Sequence, residues 1–322
     1  MSRSGRLAGR SVLGGGRLIG SEWQPERLVG ADEAAELIGG QFPDLRGTPV
    51  QPFAEGWDNT VYLVDGQWVF RFPRREIALP GVRREIAVLP RLAGRLPLPV
   101  PVPELIGSPT PDYPWPFWAA RLVHGTELAE AGLPDPDRVR VATAVGTFLR
   151  ALHDPALAAE VGDGLPRDPM GRAEPGVRVG RARERLARVV AHGVWVPDPD
   201  VESLLARAEP IGPATDAVLV HGDLHIRHLL VDGDGAAAGV IDWGDLCLAD
   251  PAVDLSLAYA GFTGPARAAL LSAYGRVDAE RELRARVLAV DLSAVLADYA
   301  AADGRPTLLA EALAGIRRAV GE

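Results

Sequence analysis

Alternating apolar and polar positions in the first part of the chain predict three consecutive strands. The apolar runs, in chain order, lie at residues 51–54, 61–64 and 68–72. Asp65-Gly66 separates the second run from the third, and this pair is typical of a tight hairpin because both residues tolerate a positive φ. Side chains alternate between the two faces of a strand, so Val69 and Arg71 should share one face and Phe70 should lie on the other.

Apolar residues spaced three or four positions apart predict helices through most of the remaining chain. The predicted helices lie at about 31–38, from Pro80 onward, and at 137–153, 178–190, 251–261, 288–299 and 307–320. In the second of these, Val82, Ile86 and Leu89 recur on one face, and Pro80 suits a first helical turn. Residues 155–180 are rich in glycine, proline and charge, so they are predicted to form a surface loop.

Residues 219–245 combine apolar runs with acidic turns. One run leads into His221-Gly222-Asp223, a second occupies 229–231, and a third ends at Asp242, with an Asp-Gly-Asp-Gly turn between the last two. Such runs between turn signals are typical of short buried strands joined as a hairpin. A hairpin brings its ends together, so Asp223, His228 and Asp242 should converge at one site.

Composition narrows the class of protein. With 322 residues and 47% hydrophobic residues, the chain can form a large core, and two lobes are expected. The net charge of −9 argues against a nucleic-acid partner, which needs a concentrated basic face. No apolar run approaches the ~20 residues of a membrane helix. A single cysteine, Cys247, excludes an internal disulfide and favours a cytoplasmic protein.

The basic residues are of one type. The chain has no lysine, so all 34 basic residues are arginine. Any side-chain cation that contacts a phosphate, apart from a protonated histidine, must therefore be an arginine, which presents a planar fork of donors and not a point charge.

Three chemistries could use the cluster around Asp223. Phosphoryl transfer in protein kinases needs a catalytic aspartate, a metal-binding residue five positions later and a further metal-binding aspartate. Here His228 stands five positions after Asp223, in place of the usual asparagine, and Asp242 follows. The alternatives are a hydrolytic metal centre at His221, Asp223 and His225, and a buried polar turn with no catalytic role. The spacing favours the first.

These motifs resemble the aminoglycoside phosphotransferase family. The resemblance lies in His-Gly-Asp-Leu-His at 221–225, Ile-Asp-Trp-Gly-Asp at 241–245 and Asp-Pro-Ala-Val-Asp-Leu at 250–255. His228 in place of asparagine is similar to the macrolide phosphotransferase branch. The resemblance implies an α+β, two-lobed protein-kinase-like fold: a small N-terminal antiparallel β lobe with one key helix, and a larger, mainly helical C-terminal lobe. Asp254 should hydrogen-bond the catalytic loop.

The resemblance also implies the catalytic roles. Asp223 would accept, or orient through a hydrogen bond, the hydroxyl of the acceptor. His228 and Asp242 would bind Mg²⁺, and metal affinity should weaken below about pH 6.5, where free imidazole becomes protonated. His225 and Asp245 could be additional ligands or hydrogen-bond partners of the ligands.

In the smaller lobe, the resemblance implies a nucleotide site for ATP or GTP. The turn at Gly56 and Asn59 would cover the phosphates. Arg71 takes the position usually held by lysine, and Glu85 would pair with it, with Glu76 as the alternative partner. The backbone of a hinge segment would bind the purine; this segment comprises Arg121, Leu122 and Val123.

The resulting expectation is a small-molecule kinase. Residues 1–24 would form a flexible tail, 25–123 the nucleotide-binding lobe and 124–322 the catalytic and substrate-binding lobe of a monomer or weak dimer. The apolar residues and arginines after Asp154 favour a macrolide-like antibiotic as acceptor. An aminoglycoside or other antibiotic, a metabolic alcohol such as a sugar or choline, and an inactive kinase-like binding module remain as alternatives, and the choice between ATP and GTP stays open.

Overall fold

A five-stranded antiparallel sheet forms the first part of the molecule. The computed structural model describes residues 25–56 and 58–321, so the tail predicted at 1–24 lies outside the described residues. The strands are β1 (Val50–Glu55), β2 (Asn59–Val64), β3 (Trp68–Pro73), β4 (Leu105–Gly107) and β5 (Phe117–Arg121). They lie in the order β1-β2-β3-β5-β4. The predicted three-strand meander is therefore confirmed.

The hairpin between β2 and β3 forms as its sequence predicts. Asp65 and Gly66 have φ angles of 54° and 65°, which is the backbone that this two-residue turn requires. Phe70 and Phe72 are fully buried in one cluster with Ile38 of helix α1 (Ala31–Gln41). One face of the sheet is thus covered by α1.

Helix α2 (Leu79–Leu92) lies against the larger part of the molecule. Val82 and Leu89, predicted to share its apolar face, are buried, and a proline stands in its first turn as expected. They belong to the same core cluster as Trp118 of β5 and many residues of the later helices. The small sheet and the helical part therefore share one core across α2 and β5.

Helices make up most of the chain after residue 138. They are α3 (Val139–Leu152), α4 (Pro155–Val161), α5 (Pro175–Ala191), α6 (Pro199–Ala208), α7 (Ala252–Ala260), α8 (Gly264–Tyr274), α9 (Ala279–Ala302) and α10 (Pro306–Val320). The α+β class predicted from the sequence is confirmed. None of the helices in the described part of the chain has the length and apolarity needed to cross a membrane.

The loop predicted at 155–180 is wrong at both ends. Asp154 caps α4 by accepting a hydrogen bond from the backbone N–H of Ala156 at 2.8 Å, and α5 already begins at Pro175. Proline at the first helical position is compatible with a helix, since its missing N–H would have no intrahelical partner there. The prediction was wrong because it took the many prolines and glycines as loop signals, whereas a proline stands in the first turn of each of these helices.

Two small sheets surround the motif region. Strand β8 (Leu229–Val231) pairs with β9 (Ala237–Val240) in the predicted hairpin, and β6 (Thr126–Glu127) adds to its other edge. The run before His221 forms β7 (Val218–Val220), which pairs with β10 (Cys247–Ala249) and not with the hairpin. The loop 221–228 is consequently held between two sheets.

Candidate active site

The loop that carries Asp223 is fixed by buried hydrogen bonds. The carboxylate of Asp254, at the start of α7, accepts from the backbone N–H of His221 at 2.8 Å and of Gly222 at 3.1 Å, as predicted. The same carboxylate also forms a hydrogen bond with His153, whose Nε2 lies 3.2 Å from Oδ2 of Asp254. Burial raises the pKa of Asp254, but these hydrogen bonds outweigh it and the pKa lies below its ordinary value. Asp254 is thus an ionised anchor for the loop.

His221 is a structural residue of this loop. It is fully buried, its Nε2 donates to the carbonyl of Ile241 at 3.0 Å, and its Nδ1 accepts from the backbone N–H of Asp223 at 3.2 Å. Burial lowers its pKa to about 4. Because both ring nitrogens are engaged, His221 is not a metal ligand, and the hydrolytic metal centre considered for His221, Asp223 and His225 is not formed.

Asp223, His228 and Asp242 converge, as the hairpin geometry predicts. The Nδ1 atom of His228 donates to the carbonyl of Asp223 at 2.8 Å, and its Nε2 lies 3.3 Å from Oδ2 of Asp242. His225 stacks on His228 with ring centroids 3.8 Å apart. The nitrogen of His228 that faces Asp242 is therefore Nε2, because Nδ1 carries its proton toward the loop carbonyl.

The charges of Asp223, His228 and Asp242 influence one another's pKa values. Burial raises the pKa of Asp223, and the nearby cations counter only part of that effect. Burial lowers the pKa of His228, but the Asp242 carboxylate outweighs it and raises that pKa to about 9. Burial raises the pKa of Asp242, but the neighbouring His228 outweighs this effect and lowers the pKa well below its ordinary value. His228 and Asp242 thus form an ion pair when no metal is bound.

Asp242 stands at a backbone position that is unusual for its residue type. Its φ is 67°, in the left-handed region, and its side chain is 61% exposed to the cleft. A non-glycine residue in this region costs of order 1 kcal/mol, and such residues cluster at functional sites. The turn after β9 therefore aims this carboxylate into the cleft.

Arg71 faces the same cleft from β3. No carboxylate of the described residues lies within ion-pair distance of it, and its Nη1 is buried without a hydrogen-bond partner. Its guanidinium lies over the ring of Trp118, 4.5 Å from the centroid. Burial lowers the pKa of Arg71, while the charges of Glu85 and Asp242 raise it. A buried guanidinium with an unused donor is suited to bind a phosphate oxygen.

Glu85 is buried near Arg71. Burial raises its pKa to about 8, and Arg71 lowers it only in part. Glu76, the alternative partner of Arg71, is exposed, and its backbone N–H binds Glu26 instead. The predicted pair between Glu85 and Arg71 is therefore not formed at ion-pair distance, although the charge of Glu85 is near enough to raise the pKa of Arg71.

Helix α2 also contacts the segment that carries Asp242. Arg84 donates from Nη2 to the carbonyl of Gly244 at 2.7 Å. Gly81 packs so closely on the same carbonyl that a Cβ there would lie 2.8 Å from the oxygen. The helix that holds Glu85 and the segment that holds Asp242 are therefore one packed unit.

The turn between β1 and β2 places the predicted phosphate-covering residues at its ends. Gly56 donates its backbone N–H to the carbonyl of Asn59 at 3.0 Å, and its own carbonyl accepts from Arg74 at 2.9 Å. The Oδ1 atom of Asn59 is buried without a hydrogen-bond partner. The turn is thus held by one backbone hydrogen bond and one from the side chain of Arg74, and its role over the phosphates stays a prediction.

The hinge segment differs in detail from the expectation. Strand β5 ends at Arg121, whose guanidinium stacks on Trp68 at 3.7 Å. The backbone N–H of Leu122 donates to the carbonyl of Gln67 at 2.8 Å. That N–H is therefore already engaged within the sheet, and the binding of a purine by this segment stays a prediction.

Sequence reasoning missed Arg172. Its Nη2 lies 2.9 Å from Oδ1 of Asp223, and its Nη1 lies 2.8 Å from Oδ2 of Asp245 and 2.6 Å from the carbonyl of Gly222. Arg172 lies in the loop before α5, 50 positions from Gly222 and 73 from Asp245. No local spacing signals such a contact, because it arises from packing of α5 against the rest of the large lobe.

The family model described as the phosphotransferase enzyme family, APH, matches residues 49–290. Viomycin phosphotransferase of Streptomyces vinaceus is 28% identical over 267 residues, which cover 79% of this chain and 88% of that protein. An uncharacterized protein, YcbJ of Bacillus subtilis strain 168, is 43% identical over 56 residues, only 17% of this chain and 18% of that protein.

Solved structures show the same fold. The GDP complex of wild-type aminoglycoside 2'-phosphotransferase-IIIa has a TM-score of 0.63 and 23% identity, covering 90% of this chain and 98% of that one. Macrolide 2'-phosphotransferase MphH from Brachybacterium faecium, as the apoenzyme, has a TM-score of 0.55 and 25% identity over 88% and 97%. The predicted kinase-like fold is confirmed.

Proposed function

Because this chain belongs to the phosphotransferase enzyme family, we propose that it moves the γ-phosphoryl group of ATP or GTP to a hydroxyl of an antibiotic, with a macrolide as the first choice. The observation that carries the proposal is the convergence of Asp223 with the His228–Asp242 pair, in a cleft that Arg71 enters from the smaller lobe.

Asp223 is the group that receives the acceptor. Its carboxylate is 24% exposed, so a hydroxyl can reach it. The acceptor oxygen bonds to the γ-phosphorus as the bond to the bridging oxygen breaks, the hydroxyl proton passes to Asp223, and the nucleoside diphosphate leaves. Because such transition states are loose, positioning and charge neutralisation contribute more than the basicity of Asp223.

Arg71 binds the nucleotide phosphates in this proposal. Its unused Nη1 donor and its position over Trp118 give it a fixed orientation toward the cleft. Glu85 lies near Arg71 without pairing with it, and because burial raises its pKa to about 8, it does not carry a full negative charge near neutral pH.

His228 and Asp242 fit a divalent cation such as Mg²⁺. Nε2 of His228 and Oδ2 of Asp242 lie 3.3 Å apart and face each other. The carboxylate suits a hard cation, whereas imidazole favours transition metals, so Mn²⁺ should also be accepted. When bound, the cation would neutralise charge on the phosphates; His228 must first lose its second proton.

The surface around Asp223 and α5, where the acceptor would bind in this proposal, favours a substrate with few positive charges. Two carboxylates there are already paired with Arg172, namely Asp223 and Asp245. Helix α5 carries five arginines and one glutamate. A polycationic aminoglycoside would find few free carboxylates there.

Apolar surface adjoins the same place. Met170 and Val177 are 48% and 40% exposed at the loop and helix that carry and follow Arg172. Such surface favours a macrolide. Viomycin is the second candidate, because the viomycin phosphotransferase of Streptomyces vinaceus is similar over most of both chains.

A nucleotide-consumption assay tests the proposal. The full chain is incubated with ATP or GTP, Mg²⁺ and one acceptor at a time: a macrolide, viomycin or kanamycin. Mass spectrometry then shows whether the acceptor has gained one phosphate. We expect phosphorylation of a macrolide, at a rate about 10³-fold lower with the Asp223→Asn variant. Nucleotide consumption that never exceeds the level of this variant would instead indicate a binding module.

A further inference from the structure

Arg172 bridges two carboxylates at the centre of the site. Its side chain is 12% exposed and lies between Asp223 and Asp245, with nitrogen–oxygen distances of 2.9 and 2.8 Å. A third bond, from Nη1 to the carbonyl of Gly222, measures 2.6 Å. One guanidinium thus contacts both the loop that carries Asp223 and the segment that follows Asp242.

The loop that carries Arg172 is itself rigidly held. The two carboxylate oxygens of Asp168 accept from the backbone N–H groups of Arg172 at 2.7 Å and Ala173 at 2.8 Å. Arg178 donates to the carbonyl of Gly171 at 2.9 Å and pairs with the buried Asp291 of α9 at 3.0 Å. The backbone of Arg172 is therefore held in place by contacts that do not involve Asp223.

The contact selects one oxygen of Asp223. Arg172 binds Oδ1, whereas Oδ2 lies 3.7 Å from Nε2 of His225 and 3.8 Å from Nδ1 of His228, too far for hydrogen bonds. The terminal torsion of an aspartate has a broad energy profile, so an unheld carboxylate would rotate. Oδ2 accepts no hydrogen bond from the described residues and is thus the oxygen left to receive an acceptor hydroxyl.

The packing around Gly222 leaves this arrangement little room to shift. The φ of Gly222 is 91°, and a Cβ there would lie 2.2 Å from the carbonyl oxygen of Asp245. The two segments that Arg172 joins therefore touch each other directly. Since two carboxylates already balance the charge of Arg172, it is not placed to bind a phosphate.

We propose that Arg172 is a positioning residue, which holds Oδ1 of Asp223 so that Oδ2 stays directed to the acceptor hydroxyl, and which ties that orientation to the loop that Asp168 holds before α5. The proposal rests on the proposed function, because it assigns a task to Asp223. Arg172 acts through Asp223 and does not itself contact either substrate.

Kinetics of Arg172→Met test the proposal, with Arg172→Lys as the conservative variant. Misplacing a reacting group by ~1 Å can cost about 100-fold in rate. We therefore expect kcat to fall about 100-fold while the KM for ATP or GTP changes less than about twofold. Arg172→Lys keeps one charged contact and should lie in between, and added guanidinium chloride at low concentration should partly restore Arg172→Met.

Arg318→Met is the matched control. Arg318 is also a buried arginine between two carboxylates, Asp135 and Glu311, but it lies in α10, and neither carboxylate belongs to the candidate site. It should lower the thermal midpoint like Arg172→Met and leave kcat nearly unchanged. An equal loss of kcat in both variants, or a kcat of Arg172→Met within threefold of the unaltered chain, would overturn the proposal.

A crystal structure of Arg172→Met separates this inference from the proposed function. We expect the Asp223 carboxylate to have rotated toward His225 or His228; an unchanged carboxylate refutes the inference even in an active enzyme. If the unaltered chain phosphorylates no acceptor, the proposed function fails, and the orientation of Asp223 still decides the role of Arg172. Should Arg172→Met not fold, Arg172→Lys takes its place in both measurements.

Discussion

At the scale of single residues, His228 carries a proton that a metal ion must displace. With its pKa raised to about 9 by Asp242, the stability it contributes to the metal-free protein is complete below its ordinary value of 6.5. That contribution is lost as the pH rises through 9. The sequence predicted that metal affinity weakens below about pH 6.5, the pKa of a free imidazole. With the pKa of His228 at about 9, the weakening should begin at a correspondingly higher pH.

Metal affinity should follow the deprotonation of His228. We expect the affinity for Mg²⁺ in the presence of nucleotide to rise steadily from pH 6.5 to about 9, because each bound ion releases a proton from Nε2. Titration calorimetry in buffers of different ionisation enthalpy measures both the affinity and the proton release. In His228→Asn the slope should largely disappear; an equal slope in that variant would contradict the assignment.

Asp223 should matter for turnover and hardly at all for nucleotide binding. Asp223→Asn keeps the size of the side chain but cannot accept the hydroxyl proton, so we expect kcat to fall by about 10³-fold. The affinity for nucleotide, measured by fluorescence titration, should stay within about twofold. Turnover close to that of the unaltered chain would remove Asp223 from the mechanism.

At the scale of elements, the start of α7 determines whether the loop of Asp223 holds its shape. Asp254 is fully buried and ionised by its hydrogen bonds, so its contribution is complete above its ordinary pKa of 3.8 and lost as the pH falls through the lower folded value. Asp254→Asn should cost about 3 kcal/mol of unfolding free energy at pH 7.

Urea denaturation at pH 7 and pH 3 measures this effect. The difference between Asp254→Asn and the unaltered chain should shrink at pH 3, because protonation of Asp254 then weakens the unaltered chain too. Asp154→Asn is the control, since asparagine caps a helix as well as aspartate does. A difference that does not depend on pH would contradict the anchoring role of the charge.

The contact between α2 and the Asp242 segment leads to another prediction. Gly81→Ala would place a Cβ 2.8 Å from the carbonyl oxygen of Gly244. Helix and segment must separate by several tenths of an ångström, so we expect kcat to drop at least tenfold. Gly40→Ala in α1, where a Cβ meets nothing within 4 Å, should leave kcat unchanged and add up to about 1 kcal/mol of stability.

The elements that the sequence predicted well are those whose signals are local. The hairpins at Asp65-Gly66 and at 232–235 follow from turn residues between apolar runs, and the second of them brings His228 to Asp242. Contacts made by Arg172 and by Arg84 could not be predicted, because they join segments far apart in the chain. The engaged N–H of Leu122 was likewise hidden, since it depends on the register between β3 and β5.

At the scale of the whole molecule, the two predicted lobes share part of their core. Apolar side chains from α2 and β5 are buried in the same cluster as those of α3, α7, α9 and α10, whereas the face of the sheet under α1 has a cluster of its own. The boundary predicted at 123/124 therefore cuts through the larger of the two clusters. The roles assigned to each lobe stay predictions.

Unfolding should accordingly be a single transition. Residues 124–322 alone would lose six large core side chains: Val82, Val88, Leu89, Leu92, Leu98 and Trp118. At about 2 kcal/mol each, the loss of about 12 kcal/mol matches the whole stability of a typical domain. We expect one calorimetric peak for the full chain and an unfolded 124–322 fragment by circular dichroism; two separate peaks would show that the lobes fold independently.

The bond between the N–H of Leu122 and the carbonyl of Gln67 has a consequence for inhibitor design. Flat heterocycles that mimic adenine gain selectivity from amide donors in the hinge, and here one donor is already used inside the sheet. A compound that needs it must break a bond worth about 1 kcal/mol. An inhibitor that leaves the N–H of Leu122 in the sheet should therefore bind more tightly than one that competes for it.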